Sequence, residues 1–310
     1  MSSGVSGHSY LKKSRGYYVI QAINYTLLLG LGLITLYPFW YAFVLAFNDG
    51  NDAMRGGIYI WPRIFSLDNF QVAFRNRLIR PAFTISISRT ALAIIIGVTM
   101  QAMMAYALTK RDLPGRSGII FFFYFTTLFG GGLAPTYILY RQIGLLNNFW
   151  VYVIPGIFSF FNAIILRTAF YSVPDSLSES ARIDGASEFR IFFQIIIPLS
   201  LPTIATIALF IGVGNWNDWF TGQYFVPNKK LWPAATLLND LMNTFQQSAT
   251  ATTTGGQAQV NEALAGGQAR VTAESVKMAF LVILTMPIIV IYPFVQKYFV
   301  KGVMIGSIKE

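Results

Sequence analysis

The sequence predicts an all-α polytopic membrane protein, and three observations support that fold class. The chain has 310 residues, of which 54% are apolar and 12% are charged, whereas soluble domains carry about 25% charged residues. The mean hydropathy is +0.52, which argues against a disordered chain, because disorder requires low hydrophobicity. Apolar runs of about 20 residues recur along the chain, and helical runs of that length span a bilayer.

Six apolar runs are candidate transmembrane helices, at residues 19–47, 81–108, 119–140, 150–166, 191–222 and 278–295. The first follows the basic residues Lys12, Lys13 and Arg15. It is longer than the roughly 7–15 apolar residues of a signal peptide, so we interpret it as a retained span.

Glycine and proline predict breaks in two of the other runs. The third contains three consecutive glycines, 130–132, before Pro135, which weakens a helix and predicts a bend. Such a bend is tolerated only against protein or a water-filled cavity, so we expect one of these beside it. The fifth carries Pro198 and Pro202 in its first turns, where proline kinks a helix.

The distribution of lysine and arginine predicts the orientation. Segments 1–18, 110–118, 167–190 and 296–310 lie on one side and hold 12 Lys and Arg residues, whereas the longer opposite loops hold 10. The basic side is expected to be cytosolic. This places both termini in the cytosol, in tails 1–18 and 301–310 around a six-helix domain at 19–300. The net charge of +10 is then explained by the basic residues that flank the spans and contact membrane lipid. No nucleic-acid partner is expected.

Two outer loops are long enough to carry a role of their own. Residues 48–80 are broken by Gly56-Gly57 and Trp61-Pro62, and residues 223–277 contain a Gly-, Ala-, Thr- and Gln-rich stretch at 244–268. That composition cannot bury a core. The stretch is either a flexible spacer or a loop that reaches a partner or ligand. The six tryptophans form an interfacial belt, or some of them face a sugar or a docked partner.

Several chemistries have no support in the sequence. The chain has no cysteine and one histidine, His8, so no catalytic residues and no metal site are expected. Asp218 is the one acidic residue near a span, which argues against an ion-coupled secondary transporter, because such carriers use intramembrane carboxylates. The scattered acids also argue against a membrane enzyme. No phosphate-binding G-x-x-x-x-G-K-[ST] motif is present, so this chain is not expected to hydrolyse ATP.

The inner loop at 172–202 carries the most specific pattern. Ser176 and Glu179 have the spacing of a capping box, which predicts a short helix over about 177–184, and Gly185 can end it in the left-handed conformation. A short helix joined to a span could dock into a soluble partner as a lever, or it could simply be a capped helix at the interface.

This loop resembles the EAA loop of ATP-binding-cassette (ABC) importer permeases. That pattern is E-A-A, three residues, G, nine residues and I-x-L-P, and it matches Glu179-Ser180-Ala181, Gly185 and residues 195–198. Ser180 and Ile197 are mild departures. Segments 105–116, 129–139, 144–155, 214–220 and 276–309 are similar to the carbohydrate-type permeases related to the maltose system, and in part to a complex-oligosaccharide subfamily.

The resemblance implies the type I permease fold and a set of partners. These are a second permease subunit, two ATP-binding subunits that use ATP and magnesium, and an extracytoplasmic solute-binding protein that delivers an oligosaccharide. An ABC permease for another solute is the alternative. The coupling helix would insert into an ATPase cleft through the motif residues Glu179, Ala181, Asp184, Gly185 and Ala186.

A polar group near the outer end of the fifth span is the candidate solute contact. It consists of Asn215, Trp216, Asn217 and Asp218. These residues either end a helix in the headgroup region or line the translocation path, where amides and carboxylates hydrogen-bond sugar hydroxyls. Arg89 is the one cation well inside a span, and we expect it to snorkel or to pair rather than to bind solute.

Overall fold

The computed structural model describes residues 15–250 and 271–307 of the chain. Within these residues the regular structure is helical. The α-helices are α1 Arg15–Ala46, α2 Gly50–Met54, α3 Asp68–Arg75, α4 Ile79–Ala107, α5 Arg116–Leu128, α6 Leu133–Gln142, α7 Phe160–Tyr171, α8 Asp175–Ile183, α9 Glu188–Ile191, α10 Ile197–Leu199, α11 Leu201–Asn217, α12 Phe220–Phe225, α13 Ala234–Thr250 and α14 Ala273–Ser307. Single turns of 3₁₀-helix lie at Phe149–Tyr152, Ile154–Gly156 and Lys229–Leu231.

The predicted spans appear in the structure as continuous or bent helices. Among the described residues, Gly16–Ala46 and Ile79–Ala107 are long and apolar enough to cross a membrane without a break. Three bent pairs account for the third, fourth and fifth predicted spans, with bends of 118°, 48° and 84°. The sixth predicted span, 278–295, lies inside α14. The all-α fold class predicted from the sequence is therefore confirmed.

The two sharpest bends occur where the sequence predicted them. The 118° bend separates α5 from α6, and Gly132 has a φ of +77° there, in the region that only glycine enters without strain. The 84° bend separates Glu188–Leu199 from Leu201–Asn217. Ser200 lies at that break, between Pro198 and Pro202, and the helix before it contains a π-helical segment, Phe192–Ile196.

Helix α4 lies at the centre of the largest packed cluster. Its small residues Ala93, Ala102 and Ala105 pack against buried side chains of α7 and of the fifth span. Glycines bring the backbones closer still, since a Cβ on Gly212 of α11 would lie 3.0 Å from Ile94 Cδ1. Small residues at helix contacts are the usual device for close packing in a membrane. We call the end of this bundle that carries 172–187 the inner end, and the opposite end the outer end.

Residues 48–80 form a folded segment rather than an open loop. Buried Asn48 accepts the amides of Arg63 and Ile64. Buried Asn69 donates to the carbonyls of Ala46 and Asn48, and its Oδ1 accepts from Ser275 Oγ at 2.7 Å. Because buried amides need such partners, these bonds hold the segment against α14.

The second long outer loop is partly helical. Helix α13 continues through Thr250, so the first residues of the Gly-, Ala-, Thr- and Gln-rich stretch at 244–268 lie in a helix. The rest of this stretch, at 251–268, and the tails at 1–14 and 308–310 lie outside the described residues.

Candidate coupling and translocation sites

Helix α8 lies in the inner loop at 172–202, which we call the coupling loop. It ends in a Schellman motif built on Gly185. Gly185 has a φ of +78°. The Ala186 amide donates to the Ala181 carbonyl at 2.9 Å, and the Gly185 amide donates to the Arg182 carbonyl at 3.0 Å. These two bonds are the 6→1 and 5→2 pair that defines the motif. The prediction that Gly185 ends this helix in the left-handed region is confirmed.

The predicted capping box at the other end of the helix was wrong. The helix begins at Asp175, and Pro174 occupies the N-cap position without a side-chain cap. Ser176 is therefore already inside the first turn, where its hydroxyl cannot cap the Glu179 amide. Asp175 in that turn is favourable instead, because its carboxylate faces the positive end of the helix dipole.

The structure divides the five motif residues into two groups. Ala181 and Ala186, joined by the 6→1 bond, are half-buried against the cluster around α4. Glu179, Asp184 and Gly185 are exposed. On the open side of α8, Ile183 is 87% exposed. One face of the helix is thus fixed to the bundle, while the other presents charged and apolar groups to the surroundings.

Glu188 joins the coupling loop to the inner end of α4. Its carboxylate accepts from Tyr106 Oη at 2.6 Å, and it pairs with Lys110 Nζ at 2.8 Å and Arg182 Nε at 2.8 Å. The hydrogen bond to Glu188 raises the pKa of the Arg182 guanidinium. Residue Glu188 was not among the candidate residues of the motif, and its partner Tyr106 is 82 positions away.

A cavity lies beside this cluster at the inner end. Its volume is about 920 Å³, and its walls include Glu179 and Arg182 on one side and Lys110 to Pro114 on the other. The walls combine charged side chains with apolar ones such as Phe170 and Ile196.

Arg89 is the centre of the candidate translocation group at the outer end. Its side chain is fully buried, and its guanidinium donates to the Asn215 carbonyl and to the Asp218 carbonyl at 2.6 Å. It also pairs with Asp218 Oδ2 at 3.3 Å. The carbonyls at the C-terminal end of α11 lack helical partners, and a cation there also complements the helix dipole. The pairing expected for Arg89 is therefore present.

The four candidate path residues do not share one environment. Asn215 donates to the Ile211 carbonyl of its own helix at 3.0 Å, and the Trp216 indole donates to the Leu284 carbonyl at 3.1 Å. Asp218 is held by Arg89. Asn217 has an exposed side chain at the end of α11, and Trp219 is 41% exposed just beyond it. No cluster of potential metal ligands occurs in the described part of the chain.

This arrangement defines a membrane transport protein, and comparison with known proteins identifies its family. Residues 93–305 match the family described as "Binding-protein-dependent transport system inner membrane component", so the chain belongs to that family of membrane permeases. The resemblance found in the coupling loop is confirmed, and the fold is that of a type I ABC importer permease. The family consists of transporters, not enzymes.

The more similar relatives match over almost their whole length. The polygalacturonan/rhamnogalacturonan transport system permease protein YtcP of Bacillus subtilis is 35% identical over 92% of this chain and 96% of its own. Protein LplC of the same organism is 35% identical over 94% and 95%. A crystal structure of a bacterial ABC transporter that imports the acidic polysaccharide alginate has a chain with a TM-score of 0.81 and 27% identity, covering 93% of this chain and 99% of that one.

Proposed function

We propose that this chain is one permease subunit of an ATP-driven importer of oligosaccharides in a bacterial cell membrane. Its partners are a second permease subunit, two ATP-binding subunits and an extracytoplasmic solute-binding protein. The observation that carries the proposal is the exposed face of α8, rigidly capped at Gly185 and fixed to the bundle through Ala181 and Ala186. The names of the relatives support the sugar substrate.

In this proposal ATP and magnesium are bound and used by the partner subunits. Glu179, Asp184 and Ile183 contact the ATPase surface, because they are exposed on α8 or directly after it. Gly185 sets the end of the helix, and Ala181 and Ala186 pass its movement to the bundle. Both termini then lie in the cytosol, on the same side as α8.

Side-chain exposure separates the residues around 215–219 that can contact solute from those that cannot. Asn217 and the neighbouring Trp219 present an amide and an indole at the break between α11 and α12, a pairing that suits sugar hydroxyls and the apolar face of a sugar ring. Asn215, Trp216 and Asp218 shape this break, because their side chains are bound to protein groups.

Oligosaccharides that carry negative charge are the proposed substrate class. Arg75, Arg77 and Arg80 are exposed at the outer end, and none of the ion pairs within residues 15–250 and 271–307 involves them. A cationic surface at the entrance raises the local concentration of anionic solutes. The solved transporter of an acidic polysaccharide is consistent with this class.

Neutralising this surface is expected to impair uptake selectively. In the variant with Arg75, Arg77 and Arg80 all changed to Gln, uptake of alginate oligosaccharides is expected to fall about tenfold at low salt, with little change for a neutral maltodextrin. The difference shrinks as ionic strength rises, since exposed charges are screened. An equal loss for both sugars contradicts the acidic substrate class.

Purification with its partners tests the function itself. We expect the chain to copurify with a second permease and an ATP-binding subunit. ATP hydrolysis by the reconstituted complex is then measured with binding protein loaded from a panel of neutral and acidic oligosaccharides, and at least one of them is expected to stimulate it. Failure to copurify with any ATP-binding subunit contradicts the proposal and favours an independent carrier.

A further inference from the structure

We propose that helix α4 transmits movement of the coupling loop during transport, and that Glu188 is the positioning residue that attaches α4 to this loop. Helix α4 carries movement of the coupling loop to the helix break at 217–219, where the solute contacts lie. This inference rests on the proposed function, because it requires that ATP-binding subunits displace α8.

The inner attachment is the Glu188 carboxylate. It accepts from Tyr106, in the last turn of α4, and from Lys110, three residues beyond that helix. The same carboxylate accepts from Arg182 of α8. One side chain therefore binds the coupling helix and the inner end of α4 together. Charge-assisted bonds of this kind are stronger than neutral ones.

The outer attachment is the Arg89 guanidinium. Arg89 lies 17 positions before Tyr106 on the same helix, a separation of about 26 Å along the axis. Its bonds to the Asn215 carbonyl and to both the carbonyl and the carboxylate of Asp218 hold the end of α11. Helix α4 is thus bound to the fifth span at two levels, on either side of the bend in that span.

The fifth span is itself a poor route for the same movement. Between the coupling loop and the break it contains the π-helical segment Phe192–Ile196 and the 84° bend at Ser200. Interruptions of this kind break the regular i→i−4 hydrogen bonding of an α-helix. Helix α4 is one continuous helix of 29 residues over the same depth. The continuous helix therefore transmits displacement with less loss than the broken one.

A spin-label distance in the assembled complex tests whether α4 transmits movement from the coupling loop to the break. The chain has no cysteine, so labels can be attached at Ser176→Cys on α8 and at Phe220→Cys, an exposed residue directly after the break. In the otherwise unaltered complex the distance between them is expected to be the same with and without ATP and magnesium. In the variant Tyr106→Phe with Lys110→Met, α8 is expected to move without the break, so the distance changes on adding ATP.

Two further variants separate attachment from folding. Lys110→Arg with Tyr106 retained keeps a cation at Glu188 and is expected to preserve the constant distance. Arg190→Met is the matched control, because its guanidinium binds Gln194 of the same span and not α4. In the detached variant, solute transported per ATP hydrolysed is expected to fall about tenfold, a typical coupling effect.

The outcomes that overturn transmission by α4 differ from those that overturn the proposed importer function. A label distance that stays constant in the detached variant, or changes equally in the unaltered complex, overturns this proposal alone. Absence of any ATP-binding subunit from the purified complex overturns both.

Discussion

Changing Gly185 to valine is expected to reduce solute uptake at least tenfold while the protein remains inserted and folded. The φ of +78° at this position is unfavourable by about 1–2 kcal/mol for a residue with a Cβ, and more so for a β-branched one. A Cβ there meets no atom within 4 Å, so the strain is in the backbone alone. Relief of that strain breaks the bonds from Ala186 and Gly185 that close α8 and changes the angle of the coupling helix.

Gly144 provides a matched control for this substitution. It has a φ of +73° and equally open surroundings, and it ends α6 with the same pair of bonds, from the Leu145 amide to the Tyr140 carbonyl and from the Gly144 amide to the Arg141 carbonyl. Tyr140 packs on Phe225 of α12 at the outer end. Gly144→Val therefore carries the same backbone strain without disturbing the coupling helix and is expected to retain uptake. Gly185→Asn is expected to retain much of it too, because asparagine tolerates the left-handed region. Equal uptake in Gly185→Val and Gly144→Val excludes the coupling role; ATP hydrolysis and sugar uptake in proteoliposomes are the measurements.

The features predicted from sequence are those with local causes. Gly185 ends a helix, the glycines at 130–132 break one, and Pro198 and Pro202 flank a bend. In each case the residue limits its own backbone. The capping box failed for a local reason as well, since Pro174 starts the helix before Ser176 can act as a cap.

The contacts that sequence analysis missed join distant positions. Arg89 and Asp218 are 129 positions apart, and Tyr106 and Glu188 are 82 apart. A single sequence contains no record of which charges meet when helices pack. The unusual depth of Arg89 was a usable signal that it had a partner. No sequence signal indicated its bonds to the backbone carbonyls of Asn215 and Asp218, because these bonds exist only where α11 ends beside α4.

Removing the Arg89 guanidinium is expected to give the largest loss of stability of any single change considered. Arg89→Met leaves the Asp218 carboxylate and the carbonyls of Asn215 and Asp218 without their shared donor. Breaking a buried ion pair from one side costs about 3 kcal/mol or more. We adopt the lower figure because the Asp218 side chain is 30% exposed. The free energy of unfolding in mixed micelles is the measurement.

Substitutions of Asp218 and Arg80 show which bonds of Arg89 matter. Asp218→Asn keeps both carbonyl bonds and is expected to cost less than Arg89→Met, whereas Arg80→Gln, an exposed arginine in the first turn of the same helix, should change stability by less than about 0.5 kcal/mol. If the ion pair alone were important, Asp218→Asn and Arg89→Met would be equally destabilising. A smaller loss for Asp218→Asn shows that Arg89 acts chiefly on the backbone of the break, as a donor to the carbonyls that α11 leaves unpaired where it ends.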